Sequence, residues 1–189
     1  LNRILSELRS IEHLEIIRLA TRNPVTLPQR ITPALTAVLR KYHPIYVNTH
    51  FNHLSECTPE AAAALTMLAD AGCVVGNQMV LLRGVNEDAA MVRKMNQWLL
   101  AHRCKPYYIF QCDSAEGVGH FKTPLSAGTE IIDALRGWTS GMAVPHFVVD
   151  LPDGGGKVPV QPDYLLEQNG HTYRFRNYAG ETYEYVEGS

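Results

Sequence analysis

The sequence is short of most features that would place it in a specialised class. It has no apolar run near the roughly 18 residues that a membrane-crossing helix needs, and no amino-terminal export signal. It has no charge of one sign to spare: 17 Lys+Arg stand against 19 Asp+Glu, which gives no polyanion-binding surface and argues against nucleic acid as a partner. The four cysteines, Cys57, Cys73, Cys104 and Cys112, are too scattered for a CxxC zinc pair or a compact disulfide framework, so free thiols in a reducing, cytoplasmic setting are expected. The first residue is Leu1 rather than Met, already within a helical pattern, and further chain before it is expected.

What is present is a repeating pattern. Leu1, Ile4, Leu5, Leu8 and Ile11 recur at helical spacing, and a short branched-aliphatic run from Leu14 follows as a strand. Thr32-Pro33 and Thr58-Pro59 each offer a capping hydroxyl with proline at the first turn, ahead of apolar runs from Pro44 and Cys73. Asn86-Glu-Asp-Ala and Thr123-Pro-Leu-Ser start further helices, before runs from Pro106 and His146. Strands near residues 14, 45, 73, 106 and 146 recur at the spacing of βα units and predict an α/β fold with a mainly parallel sheet. Five units do not close an eight-stranded barrel; part of a (β/α) barrel and a doubly wound open sheet both fit the pattern. Beyond residue 160 the pattern changes, and Tyr173-Arg-Phe-Arg with Thr182-Tyr-Glu-Tyr-Val predicts a carboxy-terminal β-hairpin, dividing the chain into 1–160 and 161–189.

In a barrel the carboxy-terminal strand ends converge on one mouth, and here they carry Arg18 and Thr21, then His50, Asn52 and His53, then Asn77 and Gln78, then Gln111 and Asp113, then Asp150. Each has an ordinary reading as well: a hydrogen-bonded loop histidine, a helix-capping acid, or buried amides that need partners. Two carboxylates in one mouth would bind a cation. The segment VVDLPDGGGKVPV reads as a glycine-rich, flexible loop just beyond the last barrel strand, with Lys157 behind Gly154, Gly155 and Gly156. It is not a GxxxxGK[ST] phosphate loop, because Leu151 stands at the first glycine position and Val158 at the hydroxyl position. Lys157 is either a surface lysine or an amine beside a backbone nest for an anion, the combination that pyridoxal phosphate uses.

Taken in order, PVTLPQRITP, YHPIYVNTHFNH, LADAG, GNQMVLLRGVN, KPYYIFQCD, HFKTP, LRGWTSG, AVPHFVVD and GGGKVPV resemble the lysine 2,3-aminomutases along essentially the whole chain. That family consists of radical S-adenosylmethionine enzymes that also carry pyridoxal phosphate. The resemblance implies the carboxy-terminal part of a partial (β/α) barrel of the radical S-adenosylmethionine type, with pyridoxal phosphate bound to Lys157 as a Schiff base. It further implies that His50 and Gln78 lie near S-adenosylmethionine and that Asp113 and Asp150 hold the remote ammonium of substrate lysine. The implied reaction interconverts L-lysine and β-lysine by radical migration of the amino group, in a full-length homo-oligomer. The family's CxxxCxxC motif for a 4Fe–4S cluster is absent from these residues, so its ligands are expected upstream and no cysteine here is assigned to it. A carboxy-terminal cysteine-rich zinc site, found in some relatives, is not expected in a chain ending RNYAGETYEYVEGS.

Overall fold

The computed structural model describes residues 1–188. Helix α1 (Asn2–Arg9) leads into strand β1 (Ile17–Ala20), then α2 (Asn23–Thr26), α3 (Pro33–Lys41) and β2 (Ile45–Thr49). The alternation continues through α4 (Pro59–Asp70), β3 (Val74–Leu81), α5 (Ala89–Ala101), β4 (Cys104–Gln111), α6 (Leu125–Leu135) and β5 (His146–Leu151). Strand β6 (Gly156–Pro159) completes the main sheet, and β7 (Leu165–Asn169), β8 (Thr172–Arg176) and β9 (Thr182–Val186) form a second one.

The main sheet has six strands in spatial order β1-β2-β3-β4-β5-β6, with the first five parallel and β6 antiparallel to β5. Chain order equals spatial order, without the reversal that defines a doubly wound sheet. The sheet curls as a half-barrel. One strand face, carrying Ile17, Ile45, Val47, Val75, Met79, Ile109 and Phe147, packs into a single buried core with Leu39, Leu65, Leu68, Met95, Leu99 and Ile132 from the helices. Each fully buried aliphatic side chain there contributes about 1.5–3 kcal/mol, so this face holds the sheet on its helices. The alternate residues, Arg18, Tyr46, Asn48, Gly76, Gln78, Tyr108 and Phe110, line the concave side.

Local signals explain the helix starts. Thr32 Oγ1 accepts from Leu35 N at 3.2 Å and Thr58 Oγ1 accepts from Ala61 N at 3.2 Å, each with proline in the first turn. Helix α5 starts later than Asn86, at Ala89, because Asp88 is the cap: its carboxylate accepts from Ala90 N and Met91 N. Helix α6 lies unusually close to the sheet at Gly128, where an added Cβ would sit 2.2 Å from Phe147 Cζ.

Two expectations need correction. The glycine-rich segment is not a free loop: it is a tight turn joining β5 to β6, and Lys157 lies on β6. The carboxy-terminal unit is a three-stranded antiparallel sheet, because β7 precedes the expected β8–β9 hairpin. Arg176 fastens it to the half-barrel, donating to both carboxylate oxygens of Asp133 at 3.1 Å and to Asp163 O at 2.8 Å. Among the described residues no helix is long and apolar enough to cross a membrane.

Candidate active site

The site is built where β2, β3, β4 and β5 end. After β2 the chain is held by a lattice of buried amides. Asn77, on β3, accepts from Phe51 N at 2.6 Å and donates to Phe51 O at 3.0 Å. Asn52 accepts from Val80 N at 3.0 Å, while Asn86 donates to Asn52 O at 2.9 Å and Val80 O at 2.8 Å and accepts from Leu82 N at 2.7 Å. Satisfied amides of this kind fix the loop as strongly as a strand ladder would, since breaking any bond orphans a buried group. His50, next to Phe51, is thereby held at the concave mouth. Burial, then the Arg22 guanidinium, lowers its pKa below the usual 6.5 and favours the neutral ring.

Lys157 stands directly opposite Asp150 in the β5–β6 register. Its Nζ lies 3.0 Å from Asp150 Oδ1 and 5.5 Å from the centre of the Phe110 ring. The turn that brings it back requires left-handed backbone at Asp153 (φ 55°), Gly154 (φ 81°) and Gly156 (φ 78°), and Gly155 N donates to Pro152 O at 3.1 Å. A Cβ on Gly154 or Gly156 would meet no protein atom within 4 Å, so within the chain itself these two glycines serve the turn's conformation.

His50, Asp113, Asp150 and Lys157 line one open cleft of about 240 Å³, together with Val80, Phe110 and Gln111. Asp113 and Asp150 also line an adjoining cleft of about 280 Å³ with Ser114, Lys122 and Thr123. Gln78 shares the concave face one alternation below Val80, outside the cleft wall. His53 is turned to a local task, its Nδ1 accepting from Ser55 N at 3.1 Å. Phe110, Val80 and Gln111 complete the wall; the first two read in sequence as ordinary core strand, and only the period-two alternation marks them as concave. The Gln111 Nε2 donates to Thr123 O at 2.8 Å, which leaves its buried Oε1 without a partner beside the cleft. A larger cavity of about 370 Å³ lies at the opposite, amino-terminal strand ends around Arg18, Tyr46 and Lys105, away from these groups.

The amine of Lys157, reachable from the cleft and with its side chain 45% exposed, fits covalent attachment of a carbonyl cofactor such as pyridoxal phosphate. The four cysteines are free thiols, and burial pushes Cys57 up to about 12 and raises Cys73 and Cys104 as well, so those three are protonated in the free chain. Among the described residues no group of three or more His, Cys, Asp or Glu is placed to hold a metal ion.

Residues 132–189 match the family model described as lysine-2,3-aminomutase. The L-lysine 2,3-aminomutase of Fusobacterium nucleatum is 54% identical over 187 residues, 99% of this chain and 44% of that protein. Nearly the whole chain is similar to part of a lysine 2,3-aminomutase. The L-lysine 2,3-aminomutase of Clostridium subterminale is 52% identical over 184 residues, 97% of this chain and 44% of that protein. A relative with another name, the glutamate 2,3-aminomutase of Clostridioides difficile, is 49% identical over 178 residues, covering 94% of this chain and 42% of that protein. The chain thus spans less than half the length of these aminomutases.

Proposed function

We propose that this chain forms the amino-acid and pyridoxal phosphate side of a lysine 2,3-aminomutase, an isomerase that interconverts L-lysine and β-lysine. The observation that carries the reading is one cleft holding an amine, two carboxylates and a neutral-leaning histidine at the strand ends of a half-barrel. Lys157 attaches pyridoxal phosphate through Nζ. The group supplies, when bound, a conjugated system that can hold the migrating nitrogen and an unpaired electron. Asp113 and Asp150 bind the side-chain ammonium of the substrate and so set which carbon faces the reacting centre. Phe110 and Val80 supply the apolar part of that wall, against which the methylenes of the substrate side chain can lie. His50 and Gln78 face the region where S-adenosylmethionine would bind, and a neutral imidazole there can accept or donate a hydrogen bond without repelling a sulfonium. A 4Fe–4S cluster, which would supply the reductive cleavage of S-adenosylmethionine, would take its ligands from outside these residues.

A glutamate-type substrate is the second reading, because one relative carries that name. Two carboxylates on the cleft wall oppose it: an acidic side chain would meet like charge. The test is an anaerobic assay of the full-length protein with S-adenosylmethionine, pyridoxal phosphate, a reductant and either lysine or glutamate. β-Lysine is expected. Formation of β-glutamate, with lysine untouched, would reverse the assignment.

A further inference from the structure

Lys157 and the proposed substrate have the same side chain, four methylenes ending in an ammonium. In the folded chain the ammonium of Lys157 already rests on Asp150, 3.0 Å from Oδ1. The cross-strand register Asp150↔Lys157 makes this contact, so it needs no long-range fit. Asp150 is therefore already the site of an alkylammonium, and that ammonium belongs to the protein.

We propose that Lys157 is an internal stand-in for the substrate ammonium, and that Asp150 becomes more available to the substrate when Lys157 takes up its carbonyl cofactor. This rests on Lys157 being the attachment point. On attachment, a carbon–nitrogen double bond forms at Nζ and the carbonyl oxygen leaves as water with two of the three ammonium protons. No electron is transferred. Nζ becomes trigonal and swings to the cofactor carbon, and Asp150 is left facing the cleft beside Asp113 with no cation on it. An arriving ammonium then occupies the position that Lys157 vacated. Cofactor and substrate ammonium thus favour each other's binding, and the same factor must appear in both directions. The order is favoured by the site: the cofactor-free protein holds its own lysine where the substrate's would go, and by the time the substrate's own amine displaces Nζ from the cofactor, Asp150 is already taken.

The size of the effect follows from exposure. The two side chains are 45% and 37% exposed, so the pair behaves as a surface ion pair and changes an equilibrium by at most about fivefold. The competing explanation is that the pair merely fastens the β5–β6 turn, in which case its loss would leave cofactor attachment unchanged or poorer.

The full-length protein, as wild type, Asp150→Asn, Asp113→Asn and Lys157→Met, would be titrated with pyridoxal phosphate and followed by the absorbance of the carbon–nitrogen double bond. Titrations would be repeated with 5-guanidinopentanoate, whose cationic end cannot itself attack the carbonyl. Asp150→Asn is expected to saturate at about three- to fivefold less pyridoxal phosphate, with Asp113→Asn behaving as wild type. The guanidinium compound should lower the half-saturation of wild type by a similar factor and leave Asp150→Asn unmoved. Equal or weaker loading by Asp150→Asn, with the bond mapped to Lys157, overturns the proposal, as does equal tightening by Asp113→Asn. Unchanged absorbance in Lys157→Met would instead mean that attachment lies elsewhere, and the proposed function is what fails.

Discussion

Asn77→Ala removes both hydrogen bonds that hold Phe51, one accepted from Phe51 N at 2.6 Å and one donated to Phe51 O at 3.0 Å. Asn77 is 2% exposed and Phe51 is fully buried, so no water replaces the lost partner. Two orphaned backbone groups cost about 1–3 kcal/mol each, and the expected loss is about 2–5 kcal/mol. That is a large part of an ordinary domain's stability. With a urea dependence of about 2 kcal/mol per molar, the unfolding midpoint of the full-length protein should fall by about 1–2.5 M. Because His50 adjoins Phe51, lysine turnover measured well below the new midpoint should fall too. Asn77→Asp keeps the acceptor for Phe51 N and loses only the donor to Phe51 O, so it separates the two bonds. A midpoint for Asn77→Ala within about 0.3 M of wild type would show that the amide does not hold this loop, and would move Asn77 from scaffold towards direct chemistry.

Asp113→Asn and Asp150→Asn should each slow lysine turnover by up to about fivefold, since a carboxylate–ammonium pair at an exposed position contributes up to about 1 kcal/mol; steady-state kinetics that stay normal in both would remove lysine as the substrate. The ring of His50 should titrate below 6.5 by NMR. Below 6.5 the unfolded chain binds a proton that folded His50 resists, so stability falls with acidification from there down to the folded value, and His50→Gln should remove that part of the slope. A midpoint at or above 6.5 would contradict the burial argument. Gly128→Ala drives a methyl to within 2.2 Å of the Phe147 ring and should destabilise by about 1–2 kcal/mol net of the better helix former, with Phe147→Leu as the second change that restores it.

Much of the half-barrel can be read from local chemistry. The Thr-Pro pairs at residues 32–33 and 58–59 cap helices as expected, because a capping hydroxyl and a proline act within one turn. Asn86 shows where that reasoning ends: it has the composition of a cap, yet its amide is fully buried against Asn52 and Val80, partners set by the fold rather than by neighbours in sequence. Strand β6 is exposed along its length, so it has no apolar alternation to announce it, and the run of glycines reads as a loop. Strand β7 is likewise exposed throughout and escapes for the same reason. Among the site residues, polar strand ends stand out and are brought together as Lys157, Asp150, Asp113 and His50. The ion pair between Lys157 and Asp150 is invisible in sequence, because it depends on the register of an antiparallel strand that only the folded turn creates.

Attachment of pyridoxal phosphate at Lys157 is the central claim, and reductive trapping tests it directly. The full-length protein loaded with pyridoxal phosphate would be reduced with borohydride, digested, and the modified peptide identified by mass spectrometry. A single pyridoxyl group on the peptide that contains GGGKVPV, at Lys157, is expected. Modification of Lys105, Lys122 or any other lysine, with Lys157 unmodified, would contradict it.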